Sequence, residues 1–427
     1  MGSMQRPVAV LLTLGCKLNL ADSEEIARAL RERGYEVVDR LCEADAYVVN
    51  TCSVTHVADQ KSRRLIRSAR RLGPNAMVAV TGCYPRTAGS ERVLALGADL
   101  VVGTDDAEKE RLVAALAERH GRQAGEPAAL SGLHTRAFIK AQEGCNDVCA
   151  FCIVPRTRLR ERSRPVERVV EEVRRAVSAG AKEVVITGTQ LGAWGRDLDP
   201  PRKPHELIAG LLEGTDALRI RFSSLQPQDI TPELLALWSD PRLMPHFHLA
   251  LQSGSDRVLR AMRRRYSADD YRRAVARIRA VVPDAAVTTD VIVGFPGEAR
   301  EDFEATMRLC EEVGFARIHA FPFSPRQGTL AAKMPERVPH EEVRERMREL
   351  LALADRLRAR FVAGNRGRRR AVLWEEERET PDGRRWHGYT ENYISVYAAG
   401  EALGNRITAV VVGDPYLDGA TAAVIGG

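Results

Sequence analysis

Residues 143–155 read EGCNDVCAFCIVP, placing Cys145, Cys149 and Cys152 in a C-x3-C-x2-C spacing. A zinc site on these thiols would need a fourth ligand, usually from a second pair at a regular distance. The only histidine nearby is His134, upstream of the whole strand that leads into the motif. A four-iron cluster ordinarily takes four thiolates. Three leave one iron open, and an open metal position allows a small molecule to bind the metal directly. Such a site would be a reaction centre rather than an electron wire.

A second trio is dispersed along the chain. Cys16 follows LLTLG, Cys52 follows YVVNT and Cys83 follows VAVTG. Each sits just past the carboxyl end of an expected parallel strand, where open α/β sheets place their ligand crevice. Spacing alone would mean little, but the shared topological position makes the three converge. Cys42 precedes a strand and Cys310 lies on an amphipathic helix, so both read as packing residues.

The elements that must position these thiols fall into three regions. Residues 4–120 alternate short apolar runs (VAVLLTLG, AYVVN, MVAVTG) with helical periodicity (ADSEEIARALRERG, VADQKSRRLIRSARRLG). That predicts an α/β domain with a doubly wound parallel sheet. GRQAGEPAALSGLH, 121–134, suits a linker. In residues 135–364, strands are expected at AFIKAQ, EVVITG, LRIRFSS, FHLAL, VTTDVIVG and RIHAFPF, with helices between them and a long charged helix closing the region. Six strand–helix units predict a (β/α)6 partial barrel with its active groups at the carboxyl ends of the strands. Residues 365–427 alternate at strand period between Gly and Asp turns, predicting a small antiparallel β-barrel of a kind that often binds oligonucleotides.

The 427 residues, 44% hydrophobic and 29% charged, are globular in composition. No apolar run approaches the ~20 residues needed to span a bilayer, and no membrane association is expected. The opening MGSM reads as an appended tail ahead of Met4, without the pattern of a signal peptide. A cytoplasmic, reducing setting is expected, in which eight cysteines are ligands or catalysts rather than disulfides. Net charge is only +6, but eight arginines lie between Arg156 and Arg175. Arg168, Arg174 and Arg175 fit a solvated helix face as well as any other role. Arg156, Arg158 and Arg160, and the run as far as Arg164, directly follow the cysteines and favour contact with a polyanion.

Two cysteine trios in tandem followed by a small barrel resemble the radical S-adenosylmethionine (SAM) methylthiotransferases. TLGCKLNLADSE, NTCSVT, TGCYPR, QEGCNDVCAFCIVP, LQSGSDRVLRAMRRRY, VIVGFPGE, FPFSPRQGT and GYTENYISV carry the resemblance in order, over nearly the whole chain. It implies two [4Fe-4S] clusters, one on Cys145, Cys149 and Cys152 and an auxiliary one on Cys16, Cys52 and Cys83. It also implies SAM as cosubstrate and a terminal TRAM barrel that grips the substrate. In the family the open iron chelates SAM, whose reductive cleavage yields a 5′-deoxyadenosyl radical. An aromatic C–H has no leaving group, which is why sulfur is installed by a radical. The partners implied are the tRNA anticodon stem-loop and a flavodoxin- or ferredoxin-like electron donor, with the chain acting as a monomer.

Further residues carry over from the resemblance. Phe151 would lie near the adenine of SAM, with plain packing as the other reading. Thr189 and Gln190 in TGTQ would meet its amino group, and Ser223, Ser224 and Gln252 its ribose or carboxylate. Asp290 would face into the barrel. Asn19 and Asn50 read as local turn formers. Leu159 stands where the family pattern has a glycine that would permit a positive backbone angle. Of the family's branches, LGCKLN and GYTENYISV are most similar to the one acting on N6-threonylcarbamoyladenosine in tRNA, at C2 of the base. Lys17 beside Cys16 would meet the threonyl carboxylate. The alternatives are N6-isopentenyladenosine in tRNA or a ribosomal protein side chain. Trp386, Tyr389, Tyr393 and Tyr397 are expected mostly in the barrel core, with one or two stacking on bases. A redox carrier would need fully ligated clusters, and a plain RNA-binding module would not need an open iron.

Overall fold

The structure is a computed structural model that describes residues 6–121 and 135–425. The MGSM tail, His134 and all of the expected linker except Gly121 lie outside the described residues.

The first domain runs β1 (Val8–Thr13), α1 (Lys17–Arg31), β2 (Glu36–Val38), β3 (Ala46–Thr51), α2 (His56–Leu72), β4 (Met77–Gly82), α3 (Cys83–Ala88), α4 (Ser90–Leu94), β5 (Leu100–Val101) and α5 (Asp106–Arg119). Its five strands are parallel in the order β2-β1-β3-β4-β5. Successive residues of a strand face opposite ways, and both faces are covered. Ala9 and Leu11 pack with Ile26, Leu30 and Leu112 of α1 and α5, whereas Val10 and Leu12 pack with Ile66 and Ala69 of α2. Burial on both faces is why these strands read as continuous apolar runs. The strand order reverses direction between β1 and β3, which opens a crevice at their carboxyl ends.

The central domain follows with β6 (Arg136–Lys140), β7 (Gln142–Glu143), α6 (Val154–Thr157), β8 (Arg162–Ser163), α7 (Val166–Ser178), β9 (Glu183–Thr187), α8 (Pro204–Gly214), β10 (Ile220–Phe222), β11 (Ser224–Leu225), α9 (Pro232–Ala236), β12 (His246–Leu249), α10 (Asp256–Ala261), α11 (Ala268–Val281), β13 (Ala286–Val293), α12 (Arg300–Val313), β14 (Arg317–Pro322) and α13 (His340–Ala363). Two parallel sheets, β10-β9-β6 and β11-β12-β13-β14, meet where Ser223 interrupts one strand between β10 and β11. Together they form the six-position open barrel anticipated from the alternation. One large core holds the helices against it, including Trp194, Phe247, Phe303 and Phe315.

The last domain is a closed barrel, β15 (Arg369–Thr380), β16 (Gly383–Thr390), β17 (Ser395–Ala398), β18 (Ile407–Tyr416) and β19 (Gly419–Val424), in the order β15-β16-β17-β19-β18. It departs from the expected antiparallel barrel at one seam, because β17 and β19 pair in parallel through Val396 and Ala420. Five strands cannot alternate direction all the way round a closed circle, so one parallel pair is unavoidable. Among the described residues no helix is long and apolar enough to cross a membrane.

Candidate active site

The first trio converges at the crevice between β1, β3 and β4. Cys16 caps α1, Cys52 follows β3 directly, and Cys83 is the first residue of α3. Two glycines permit the approach. A Cβ on Gly15, at φ 113°, would lie 2.9 Å from the Cys52 Cβ, and one on Gly82, at φ 97°, would lie 2.2 Å from the Thr51 carbonyl oxygen. The thiols interact electrostatically, Cys52 with both Cys83 and Cys16. Asn19 and Asn50 stitch the loops together rather than forming turns. Asn19 Nδ2 donates to the Leu14 and Thr51 carbonyls at 2.6 and 3.0 Å, and Asn50 Nδ2 donates to the Asn19 carbonyl at 2.9 Å.

The second trio lies on the loop after β7. The Cys152 N–H donates to the Cys149 carbonyl at 3.1 Å, and the Asp147 N–H donates to the Cys145 sulfur at 3.4 Å. Arg264 Nη1 reaches the Cys149 sulfur at 3.2 Å while its Nη2 donates to Gln226 Oε1 at 2.9 Å. Gln226 in turn donates to Gln190 Oε1. Phe151 packs beside Ala150, Val258, Met262 and Phe295.

The residues present fit the groups that the resemblance implies. Burial pushes the Cys52 and Cys145 thiols up to about 11 and Cys152 up to about 12, so their thiolates call for a cationic centre. No three His, Cys, Asp or Glu among the described residues gather around a lone metal ion, and a polynuclear cluster, in which each thiolate bonds a different iron, does not ask them to. Beside the second trio, Thr189 Oγ1, Gln190 Nε2 and Ser223 Oγ are buried with no partner among the described residues. Such groups are costly unless a ligand satisfies them. Ser224 is half-buried. Gln252 contributes through its backbone, at φ 68°, donating from its N–H to the Asp290 carbonyl at 2.8 Å.

The arginine run after the cysteines departs from expectation. Arg158 is not a surface phosphate contact. It is 4% exposed, and its guanidinium donates to Asp22 at 2.7 Å, to Asn19 Oδ1 at 2.5 Å and to Cys83. Arg164 is likewise interior, bound to Glu25, Asp106 and Glu172. Both were drawn inward by acids on the facing domain, so only Arg156, Arg160 and Arg162 of the run are exposed. Arg162 pairs with Glu143, Arg168 with Glu172 and Arg175 with Glu171. Arg158 thus ties the loop of one trio to the wall of the other. Around it Lys140 and Lys109 both contact Asp22 and Asp106 at 2.8–3.0 Å. Burial alone would raise the Asp22 carboxyl, but Arg158, Lys140 and Lys109 hold it well below the usual range.

Residues of all three domains meet around Lys17, beside Cys16. Lys17 reaches this point from α1, half-buried and, among the described residues, with no side-chain hydrogen bond or ion pair. Burial, with Arg136 and Arg221 nearby, lowers its pKa, and Tyr393 and Asp290 oppose the shift. Asp290 accepts from or pairs with His248 Nε2 at 3.2 Å. Burial pushes His319 down to about 4. From the terminal barrel, Tyr393 stacks on His246 at 4.2 Å and on Tyr389 at 4.8 Å. Arg136 lies 4.9 Å over Tyr389 and Arg221 lies 4.8 Å over Tyr393. Both cations have acidic partners, Arg136 with Glu375 at 2.5 Å and Arg221 with Glu183 at 2.8 Å. Tyr397 bonds Asp418 at 2.7 Å instead, and Trp386 packs against the barrel core.

Sequence reasoning missed Arg264, Gln226, Arg136, Arg221, His248 and His319. A signal existed for some of them. His246 and His248, like Arg219 and Arg221, alternate at strand period inside apolar runs, which points polar groups into the barrel lumen. Nothing local marks Arg136 or Gln226.

The comparisons with known proteins agree with this layout. Residues 139–310 match the Radical SAM superfamily, and residues 9–103 match a family described as "Uncharacterized protein family UPF0004". The threonylcarbamoyladenosine tRNA methylthiotransferase MtaB of Bacillus subtilis is 37% identical, over 97% of this chain and 96% of its own. The protein of that name from Thermotoga maritima is 37% identical over 92% and 91%. The tRNA-2-methylthio-N(6)-dimethylallyladenosine synthase of Thermobifida fusca is 38% identical over 85% and 77%. Among solved structures, the radical SAM methyltransferase TsrM from Kitasatospora setae superposes with a TM-score of 0.54 at 15% identity, over 74% of this chain and 75% of its own, a likeness of fold alone. Identity above a third sustained from end to end, across both cysteine trios, settles the family: the chain is a member of the radical SAM methylthiotransferases.

Proposed function

We propose that the protein methylthiolates C2 of N6-threonylcarbamoyladenosine next to the anticodon of tRNA. The observation that carries this reading is Lys17, whose ammonium has no partner among the described residues and lies where the three domains meet, one residue from Cys16. The names of the Bacillus and Thermotoga relatives point the same way. Two iron–sulfur clusters, one on each cysteine trio, and SAM would supply one-electron cleavage and the methylthio sulfur.

The chain's own residues then have distinct tasks. Thr189, Gln190 and Ser223 orient the polar groups of SAM, and Arg264 holds Cys149 and Gln226 in one fork. Lys17 receives the threonyl carboxylate. Tyr393, sandwiched between His246 and Tyr389, fixes the terminal barrel beside Lys17 rather than offering a free ring face to a base. A charge-assisted contact of this type contributes roughly 1.5–3 kcal/mol, which is about tenfold or more in discrimination. The reading brings with it a cytoplasmic setting and a small flavodoxin- or ferredoxin-like reductant.

The test is mass spectrometry of nucleosides from two tRNAs incubated with reconstituted enzyme, one bearing the threonylcarbamoyl group and one the isopentenyl group. The first should be methylthiolated in preference, and Lys17→Ala should reduce that preference about tenfold while leaving iron content unchanged. Product confined to the isopentenyl tRNA would refute the substrate assignment. Replacing Cys145, Cys149 and Cys152 by alanine should remove about half the iron and all SAM cleavage. Replacing Cys16, Cys52 and Cys83 should remove the remainder and spare cleavage.

A further inference from the structure

Helix α2 carries Lys61, Arg63, Arg64, Arg67, Arg70 and Arg71 against one acid, Asp59. That acid is already bound to Arg326 at 2.8 Å, across the domain boundary. Arg70 pairs with Asp99, and Arg63 lies 6.0 Å over the Tyr84 ring. Arg64, Arg67, Arg71 and Lys61 are exposed and have no ion pair among the described residues. Other surface helices contrast with this. On α11 and α12, Arg272, Arg273 and Arg300 are each matched by acids, Glu312, Asp269 and Glu349 respectively. Arginines four apart on one face repel and weaken a helix, so α2 maintains an uncompensated charge that its own packing does not need. Its buried stripe is Ser62, Ile66 and Ala69, on the opposite side.

The ridge also has shape. Gln60, Arg63, Arg64, Arg67, Ser68 and Arg71 line a surface groove of about 430 Å³. No apolar side chain lines it, although a protein partner would ask for an apolar centre. Cations repeating at each turn with neutral hydrogen-bonding groups between them suit a chain of phosphates. Its position is informative too. α2 connects parallel strands, so it starts at the crevice, four residues after Cys52, and runs away from it. From Gln60 to Arg71 the ridge extends about 17 Å.

We infer that this ridge binds the phosphate backbone of the double-helical stem of the RNA whose loop reaches the crevice at the cysteine trios. The inference rests on the tRNA reading above and adds a second contact to it, on the first domain rather than on the terminal barrel.

The experiment measures binding by the full-length reconstituted protein across a salt series. Two RNA probes are used, an anticodon stem-loop hairpin and the seven-nucleotide loop alone. The variant is R64A/R67A/R71A, with R344A/R348A/R356A, three exposed arginines of α13, as a control for net charge. The ridge variant should bind the hairpin at least tenfold more weakly at low salt. Its slope of log affinity against log salt should be shallower by about two to three. Loop binding and the control variant should match the wild type. A hairpin affinity and slope unchanged in the ridge variant would overturn the inference. So would equal losses on hairpin and loop, or an equal loss in the control, since those report a general field. If the wild type binds neither RNA, the tRNA reading falls and this inference with it.

Discussion

Leu159 holds a φ of 59°, a left-handed conformation in which an ordinary side chain costs about 1–2 kcal/mol. Its side chain is 48% exposed, so burial offsets little of that. The loop keeps the angle because it must pass Gly144, where a Cβ would lie 1.9 Å from the Arg160 carbonyl oxygen. The family glycine is absent, yet the backbone it would serve is retained. Leu159→Gly should leave iron content unchanged and raise the thermal midpoint slightly, by less than about 1 kcal/mol in stability, since glycine also loses entropy on folding. Gly144→Ala should lower both midpoint and iron retention. Leu159 was recognisable in the sequence as a departure, but its strain was not, because a backbone angle is imposed by the chain that crosses it.

At the scale of elements, helix α1 shows why part of the site was hidden. The parallel strands around it were legible because burial on both faces leaves uninterrupted apolar runs, but nothing in its stretch ADSEE says what the acids face. The acids face the central domain, where Asp22 meets Lys140 at the end of β6 and Glu25 meets Arg164 just after β8. Periodicity records that a face is polar, not whether a second domain covers it. Removing one member of such a buried network leaves the others uncompensated. Asp22→Ala should therefore destabilise the protein by about 3–5 kcal/mol, read from chemical denaturation, with Asp22→Asn in between. Glu24, on the same helix, accepts from the Phe138 N–H at 3.0 Å, and burial pushes its carboxyl up to about 8. An unfolded glutamate ionises near ~4.3, so the unfolded chain loses its proton first and stability falls as pH rises from there towards 8. Glu24→Gln keeps the acceptor and cannot ionise. Its thermal midpoint should equal the wild type near pH 4 and exceed it at pH 8, by on the order of 1 kcal/mol after screening.

At the scale of the whole molecule, the terminal barrel is anchored directly to the central domain. Arg221 donates to the Thr390 and Glu391 carbonyls at 2.9 Å, and Arg136 bonds Glu375. Its basic approach is largely neutralised, Arg366 by Asp414 and Arg368 and Arg370 by Asp284. Deleting residues from 366 onward should therefore weaken tRNA binding and lower the thermal midpoint of what remains, while SAM cleavage persists. An unaltered midpoint would mean that these anchors carry no load. Each domain has its own apolar core, and Lys17, Asp290 and Tyr393 belong to none of the three. On the proposed function, folding and recognition are written in separate residues. A lineage could then exchange the groups that meet substrate without putting any domain's integrity at risk, so substrate preference in such proteins would be free to drift faster than architecture.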